Sequence, residues 1–95
     1  MRFEWDERKN RTNQRKHGVS FEEASEVFGD PLHLSWLDER FSAFEERWVT
    51  IGQTSSGLML TVANLFFDAG GDGVVRVISA RKATPREQRH YEESV

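Results

Sequence analysis

Thirteen lysines and arginines stand among the 95 residues of this chain, and ten of them fall in two short runs. Arg8, Lys9, Arg11, Arg15 and Lys16 lie in 8–16, and Arg76, Arg81, Lys82, Arg86 and Arg89 lie in 76–89. His17 follows the first run, and Glu46-Arg47 stands in an acidic middle whose other cation is Arg40. Arginine's planar fork matches phosphate oxygens and stays charged. Histidine exchanges a proton near neutral pH. A glutamate can act as a base where it is positioned. The chemistry these types could do together is phosphate binding with proton transfer.

Each group also has a plainer use. A charge run is usually a solvated face, and His17 at a helix end can simply contact a carbonyl. Arg81 can pair with Glu87 on the surface. Glu46 and Arg47 can make cross-strand ion pairs, worth roughly 0.2–1 kcal/mol each. His33 and His90 have no supporting constellation, and Asp6 reads as a helix cap rather than a catalyst. Trp5, Trp36 and Trp48 could stack on bases, but Trp5 and Trp48 lie in strand patterns that favour core packing. No spacing suggests zinc, a phosphate loop or a nucleotide, so no metal or cofactor is expected.

The elements that must hold these residues follow from local pattern. Residues 2–5 alternate and read as a short edge strand. Asp6 can cap a helix over Glu7–His17, closed by Gly18. That helix contains no strongly apolar residue, so something other than an apolar stripe must hold it. Ser20 and Glu23 have capping-box spacing, and Phe21, Ala24, Val27 and Phe28 make one apolar face. Gly29-Asp30-Pro31 stops this second helix. Strands are expected over 32–37, 45–54, 58–67 and 74–80, with a charged turn at 38–43 and a glycine-rich loop at 68–73. Thr84-Pro85-Arg86-Glu87 opens a last helix. The order predicts an α+β fold. Four strands pair as an antiparallel meander, with a short N-terminal strand, two N-terminal helices and one C-terminal helix packed on the sheet.

Orientation limits the candidate site. Arg76 and Arg81 are an odd number of residues apart, so a regular strand points them to opposite faces. Both serve one site only if a bulge re-aims one. Glu46 and Arg47 also point oppositely, with Arg47 on the side of Val49 and Ile51. Arg47 is the better phosphate donor and Glu46 the weaker base.

Composition sets the outer limits. The length predicts one domain over 1–95 with a small core. No cysteine is present, which excludes disulfides and thiolate metal sites. No apolar run is long enough for a membrane span, and Met1-Arg2-Phe3-Glu4-Trp5 lacks the apolar stretch of a signal peptide, so a cytoplasmic location is expected. The net charge of −3 argues mildly against nucleic acid. The two basic runs around an acidic middle argue for separate positive and negative faces instead.

Several blocks together resemble the BrnT family of toxins. They are Phe3-Glu4-Trp5-Asp6 with Lys9 and Asn13, Lys16-His17-Gly18-Val19 with Phe21 and Glu23-Ala24, and Phe28 with Asp30-Pro31. Glu45-Glu46-Arg47-Trp48 with Ile51-Gly52 and Val75 to Ala83 with Glu87 and Tyr91 complete the order. The resemblance implies a RelE-like fold and a ribonuclease that inhibits translation. It implies a BrnA-type antitoxin that binds DNA as a dimer and represses the operon with the toxin, so DNA is met only through the antitoxin. RNA carries its own nucleophile, the 2′-hydroxyl. A metal-free nuclease therefore needs only a base, donors for the phosphate charge, and an acid for the leaving 5′-oxygen. On this reading the catalytic candidates are His17, Glu46, Arg47 and Arg81, and the RNA-binding candidates are Lys9, Arg11, Lys16, Arg76 and Lys82. The assembly is left between a homodimer and a toxin–antitoxin heterotetramer. The acidic pI and the apolar strand end within 60–73 keep open a toxin-like binding module without catalysis. A hydrolase acting on another substrate ranks last, because no nucleophile motif supports it.

Overall fold

The computed structural model describes residues 1–41 and 45–94. Its order is β1 (Arg2–Glu4), α1 (Glu7–His17), α2 (Phe21–Glu26), β2 (Leu34–Leu37), β3 (Trp48–Gln53), β4 (Met59–Ala69), β5 (Asp72–Lys82) and α3 (Pro85–Glu93). Single 3-10 turns follow α2 and β2, at Val27–Gly29 and Glu39–Phe41. The strands form one sheet in the order β1-β5-β4-β3-β2. The four later strands make the expected antiparallel meander, and β1 joins parallel to β5. The α+β architecture is the one the sequence predicts. Part of the charged turn expected at 38–43 lies outside the described residues.

Two local expectations are corrected. The segment 68–73 is not a loop: β4 runs to Ala69 and β5 starts at Asp72. Gly70 and Gly71 alone make the turn, at φ of 65° and 92°. Two positive-φ residues match the right-handed twist of the flanking strands, and glycine adopts them without strain. The third strand begins at Trp48, so Glu45, Glu46 and Arg47 precede it.

The core lies between the sheet and the first two helices. Val19, Phe21, Ala24 and Val27 pack on Leu60, Val62, Val75, Val77 and Ala80. Trp5 joins this core edge-on to Phe21, with ring centroids 6.2 Å apart. Both helix starts carry their expected caps: Asp6 accepts from Arg8 N and Lys9 N, and Ser20 with Glu23 closes a full capping box.

Polar groups hold the apolar-free helix α1. Its buried residues are Asn10 and Asn13. Asn10 Oδ1 accepts from Phe21 N at 2.8 Å, which ties α1 to α2. Asn13 Nδ2 donates to the carbonyls of Val19 and Ala80, both at 2.8 Å, and its Oδ1 accepts from Ala80 N at 3.2 Å. The amide thus pairs with the edge of β5 beyond the end of β1, which reaches only Arg76.

The other face of the sheet is partly covered by α3. Buried Tyr91 donates to Asp30 Oδ2 at 2.6 Å, and the same oxygen accepts from Gln53 N at 2.9 Å. The bond to Asp30, with burial, pushes the Tyr91 phenol up to about 12. Burial raises the Asp30 carboxyl, but the bonds from Tyr91, Gln53 and Leu32 outweigh it and hold it below the ordinary value.

A bulge in β5 decides which side chains share the open face. Ala63 pairs with Ser79 and Asn64 with Val77, so Ile78 is the extra residue. Thr61, Ala63 and Leu65 share one face of β4 by alternation. Their partners Arg81, Ser79 and Arg76 therefore share it too. The odd spacing would have separated Arg76 from Arg81, and the bulge removes that separation.

Candidate active site

The open face carries a groove of about 280 Å³ between the end of α1, the turn after β2 and the last third of β5. Its floor is Val49, Thr61, Ala63 and Ser79, and its walls include His17, Asp38, Arg40 and Arg81. A second groove of about 320 Å³ runs along α1, lined by Arg8, Lys9, Thr12, Lys16 and His17 against Ile78 and Ser79. His17 and Ser79 belong to both. Arg8, Lys9 and Lys16 of the first basic run thus meet Arg81 of the second along one continuous surface.

Arg81 is held from behind. Its Nη1 and Nη2 donate to the two carboxylate oxygens of Glu87 at 2.7 and 2.9 Å. Glu87 also accepts from Thr61 Oγ1 and Thr84 N, both at 2.9 Å. It is the N3 residue of the α3 capping box, so the start of α3 fixes it in place. The hydrogen bonds from Arg81 foremost, then those from Thr84 and Thr61, bring the Glu87 carboxyl down to about 2, against the upward push of burial. It is a carboxylate at neutral pH. The same bond raises the Arg81 guanidinium above its ordinary value. The surface pair named as the plainer use of Arg81 is therefore made, and it stands on the groove wall. Its Nε–H and the second Nη2–H have no acceptor among the described residues.

His17 does not make the carbonyl contact of a helix end. Gly18 caps α1 through its own N–H to Gln14 O. The half-buried imidazole has no hydrogen-bond partner among the described residues and faces both grooves.

The remaining candidates are more dispersed. Lys9 and Lys16 line the α1 groove. Arg11 is exposed on α1 and lines neither groove. Lys82 follows Arg81 and alternates to the other side, opposite Leu60. Arg76 shares the face of Arg81 but lies opposite Leu65 and pairs with Glu4 at 3.2 Å. Arg47 is half-buried ahead of β3, where its carbonyl accepts from Asp38 N at 2.7 Å. Glu46 is exposed and does not line the groove.

Sequence reasoning missed Asp38, Arg40, Thr61 and Ser79. Asp38 is the carboxylate of the groove, with its side chain only 10% exposed, and Arg40 Nε donates to it at 3.3 Å. Both stand far in the chain from His17 and Arg81 and meet them only in the folded groove. Ser79 had a signal, since it stands two residues before Arg81, but the bulge alone puts it on the right face.

Residues 5–87 match the family model described as the ribonuclease toxin BrnT of type II toxin–antitoxin systems. The fold is similar to a 1.1 Å crystal structure of the Brucella abortus ribonuclease toxin BrnT. The TM-score is 0.57 at 27% identity, over 88% of this chain and 97% of that one. No curated protein sequence matches the chain.

Proposed function

The chain belongs to the BrnT family of ribonuclease toxins of type II toxin–antitoxin systems, and we propose that it cuts RNA without a metal at the groove between His17 and Arg81. The observation that carries this reading is the continuity of the two grooves through His17 and Ser79. An RNA backbone laid along α1 meets Lys9 and Lys16 first and then reaches His17 and Arg81. The 2′-oxygen attacks phosphorus and the bond to the 5′-oxygen breaks. Arg81 takes the charge that builds on the phosphate oxygens through the N–H groups that Glu87 leaves unused. His17 hands a proton to the leaving 5′-oxygen. Asp38, rather than exposed Glu46, is the carboxylate within the groove that can receive the 2′-hydroxyl proton. Arg47 supports the turn that brings Asp38 in.

The family implies an antitoxin partner. We extend this to a DNA-binding antitoxin of the BrnA type that represses the operon together with the toxin. The cleavage reading is tested with purified protein and RNA in excess chelator. The parent chain cuts, and Arg81→Ala and His17→Ala lose at least a hundredfold in rate, in line with loss of a charge-stabilising or proton-transferring group. In cells the parent arrests growth and Arg81→Ala does not.

One observation favours a second reading, a toxin-like binding module. The Arg81 guanidinium is already tied on two nitrogens to Glu87. A parent chain that neither cuts RNA nor arrests growth, yet captures a small DNA-binding protein, selects that reading.

A further inference from the structure

The groove of His17 and Arg81 does not end at Asp38. A third cavity, of about 370 Å³, shares Asp38, Arg40, Val49 and Arg81 with it and leads on to Trp36. Trp36 and Glu87 in turn line a fourth, of about 560 Å³, between the sheet and α3. No described residue of the connection 38–47 lines this last cavity. The strand register draws the same path as a row across the sheet. Trp36 stands opposite Val49, Val49 opposite Ala63, and Ala63 opposite Ser79. Opposed residues share a face, so Trp36 belongs to the face of the groove, two strands or roughly 10 Å from Ala63. Trp36 is 38% exposed, and its indole N–H has no acceptor among the described residues. The His90 ring stands 5.8 Å away at 87°, so neither ring is stacked on the other. Arg86, Arg89, His90 and Glu93 share one side of α3 by their spacing and line the cavity. Arg86 and Arg89 make no hydrogen bond or ion pair among the described residues.

We infer, resting on the cleavage reading, that Trp36 is a stacking platform for one base of the RNA, that of the nucleotide whose 2′-oxygen attacks. The path of the cavities selects this nucleotide. On the cleavage reading Asp38 receives the 2′-hydroxyl proton and His17 serves the leaving 5′-oxygen. Asp38 lines the cavity that leads to Trp36, and His17 lines the groove along α1. The 3′ part of the RNA therefore follows α1, and the nucleotide on the 5′ side of the cut turns its base toward Trp36. Stacking on an aromatic ring asks only for a π face, so the platform takes any of the four bases. Arg86 and Arg89 stand beyond the ring with charge to offer the next phosphate upstream. The occupant is RNA rather than a protein because the ring, the two arginines and the groove of Arg81 form one continuous track.

The test first maps where the parent cuts a short single-stranded RNA. It then removes the base, but not the ribose, on the 5′ side of that cut. On intact RNA Trp36→Ala is expected to lose about tenfold in kcat/KM, within the range for one base–aromatic stack, and to lose it in KM. Trp36→Phe keeps a ring and is expected to stay within about threefold of the parent. The parent is expected to lose about tenfold on the RNA without that base, and Trp36→Ala to lose nothing further, because both changes remove the same contact. Removing the base on the 3′ side costs the parent and Trp36→Ala equally. If circular dichroism shows Trp36→Ala misfolded, Trp36→Leu, which keeps apolar bulk without a π face, takes its place. Losses that multiply on the RNA lacking the 5′ base overturn the inference, as does coupling to the 3′ base instead. A Trp36→Ala form that cuts intact RNA as the parent does removes the platform and leaves the cleavage reading standing. If that form also no longer binds the antitoxin, the ring belongs to the antitoxin. A parent that cuts no RNA overturns the cleavage reading and the platform with it.

Discussion

The side-chain amide of Asn13 and the backbone of Ala80 pair in both directions, Nδ2 to carbonyl at 2.8 Å and N–H to Oδ1 at 3.2 Å. An amide has the donor and acceptor spacing of a peptide group, so Asn13 acts as one residue of an added strand. It locks the end of α1 to β5 and so sets the distance from His17 to Arg81.

Replacing Asn13 leaves three buried backbone groups unpaired, at Ala80 N, Ala80 O and Val19 O. Asn13→Ala is expected to lower stability by about 3 kcal/mol in urea unfolding, since each unsatisfied buried group costs roughly 1–3 kcal/mol and neighbouring water recovers part. Exposed Gln14→Ala is expected to stay within about 0.5 kcal/mol. Equal effects of the two would remove the account of how α1 is held.

Glu87 makes part of the stability depend on pH. Its folded value lies near 2, below its ordinary 4.5. A depressed carboxyl contributes stability above its unfolded value and loses it as pH falls through the folded one. The parent is therefore expected to lose stability between about pH 4.5 and pH 2. Glu87→Gln starts lower at neutral pH and falls less over that window. Parallel acid curves for the two proteins would show that the Arg81 pair is not formed in solution.

Salt dependence separates the basic residues. Lys9→Ala and Lys16→Ala are each expected to reduce the slope of log affinity against log salt by roughly 0.7 on single-stranded RNA, the amount for one lost phosphate contact. Lys82→Ala and Arg11→Ala, which line neither groove, are expected to leave the slope within error. A filter-binding series across salt concentrations checks this ranking.

Glu46 and Asp38 compete for the role of base. Glu46→Gln is expected to keep cleavage within a factor of three. Asp38→Asn is expected to lose roughly a hundredfold in rate, the lower range for general-base removal. Circular dichroism of both variants guards against a folding defect, and the reverse order of rates would return the role to Glu46.

Much of this molecule was legible in its sequence because the signals are local. Caps at Asp6, Ser20 and Thr84, alternation in the later strands and two clustered basic runs each depend on residues a few positions apart. They suffice for the element order, the α+β class and the resemblance to a toxin family. Tertiary structure decided what depends on partners distant in the chain. The buried role of Asn10 and Asn13 needed the chain after Gly18 and, for Asn13, the edge of β5. The shared face of Arg76, Ser79 and Arg81 needed the bulge at Ile78, which is set by pairing with β4. The place of Asp38 in the groove needed the end of β2 to come beside Thr61 and Arg81, which are distant in the chain. Periodicity reports which face a residue takes on a regular element; it carries no record of a bulge or of a side chain that completes another strand's ladder.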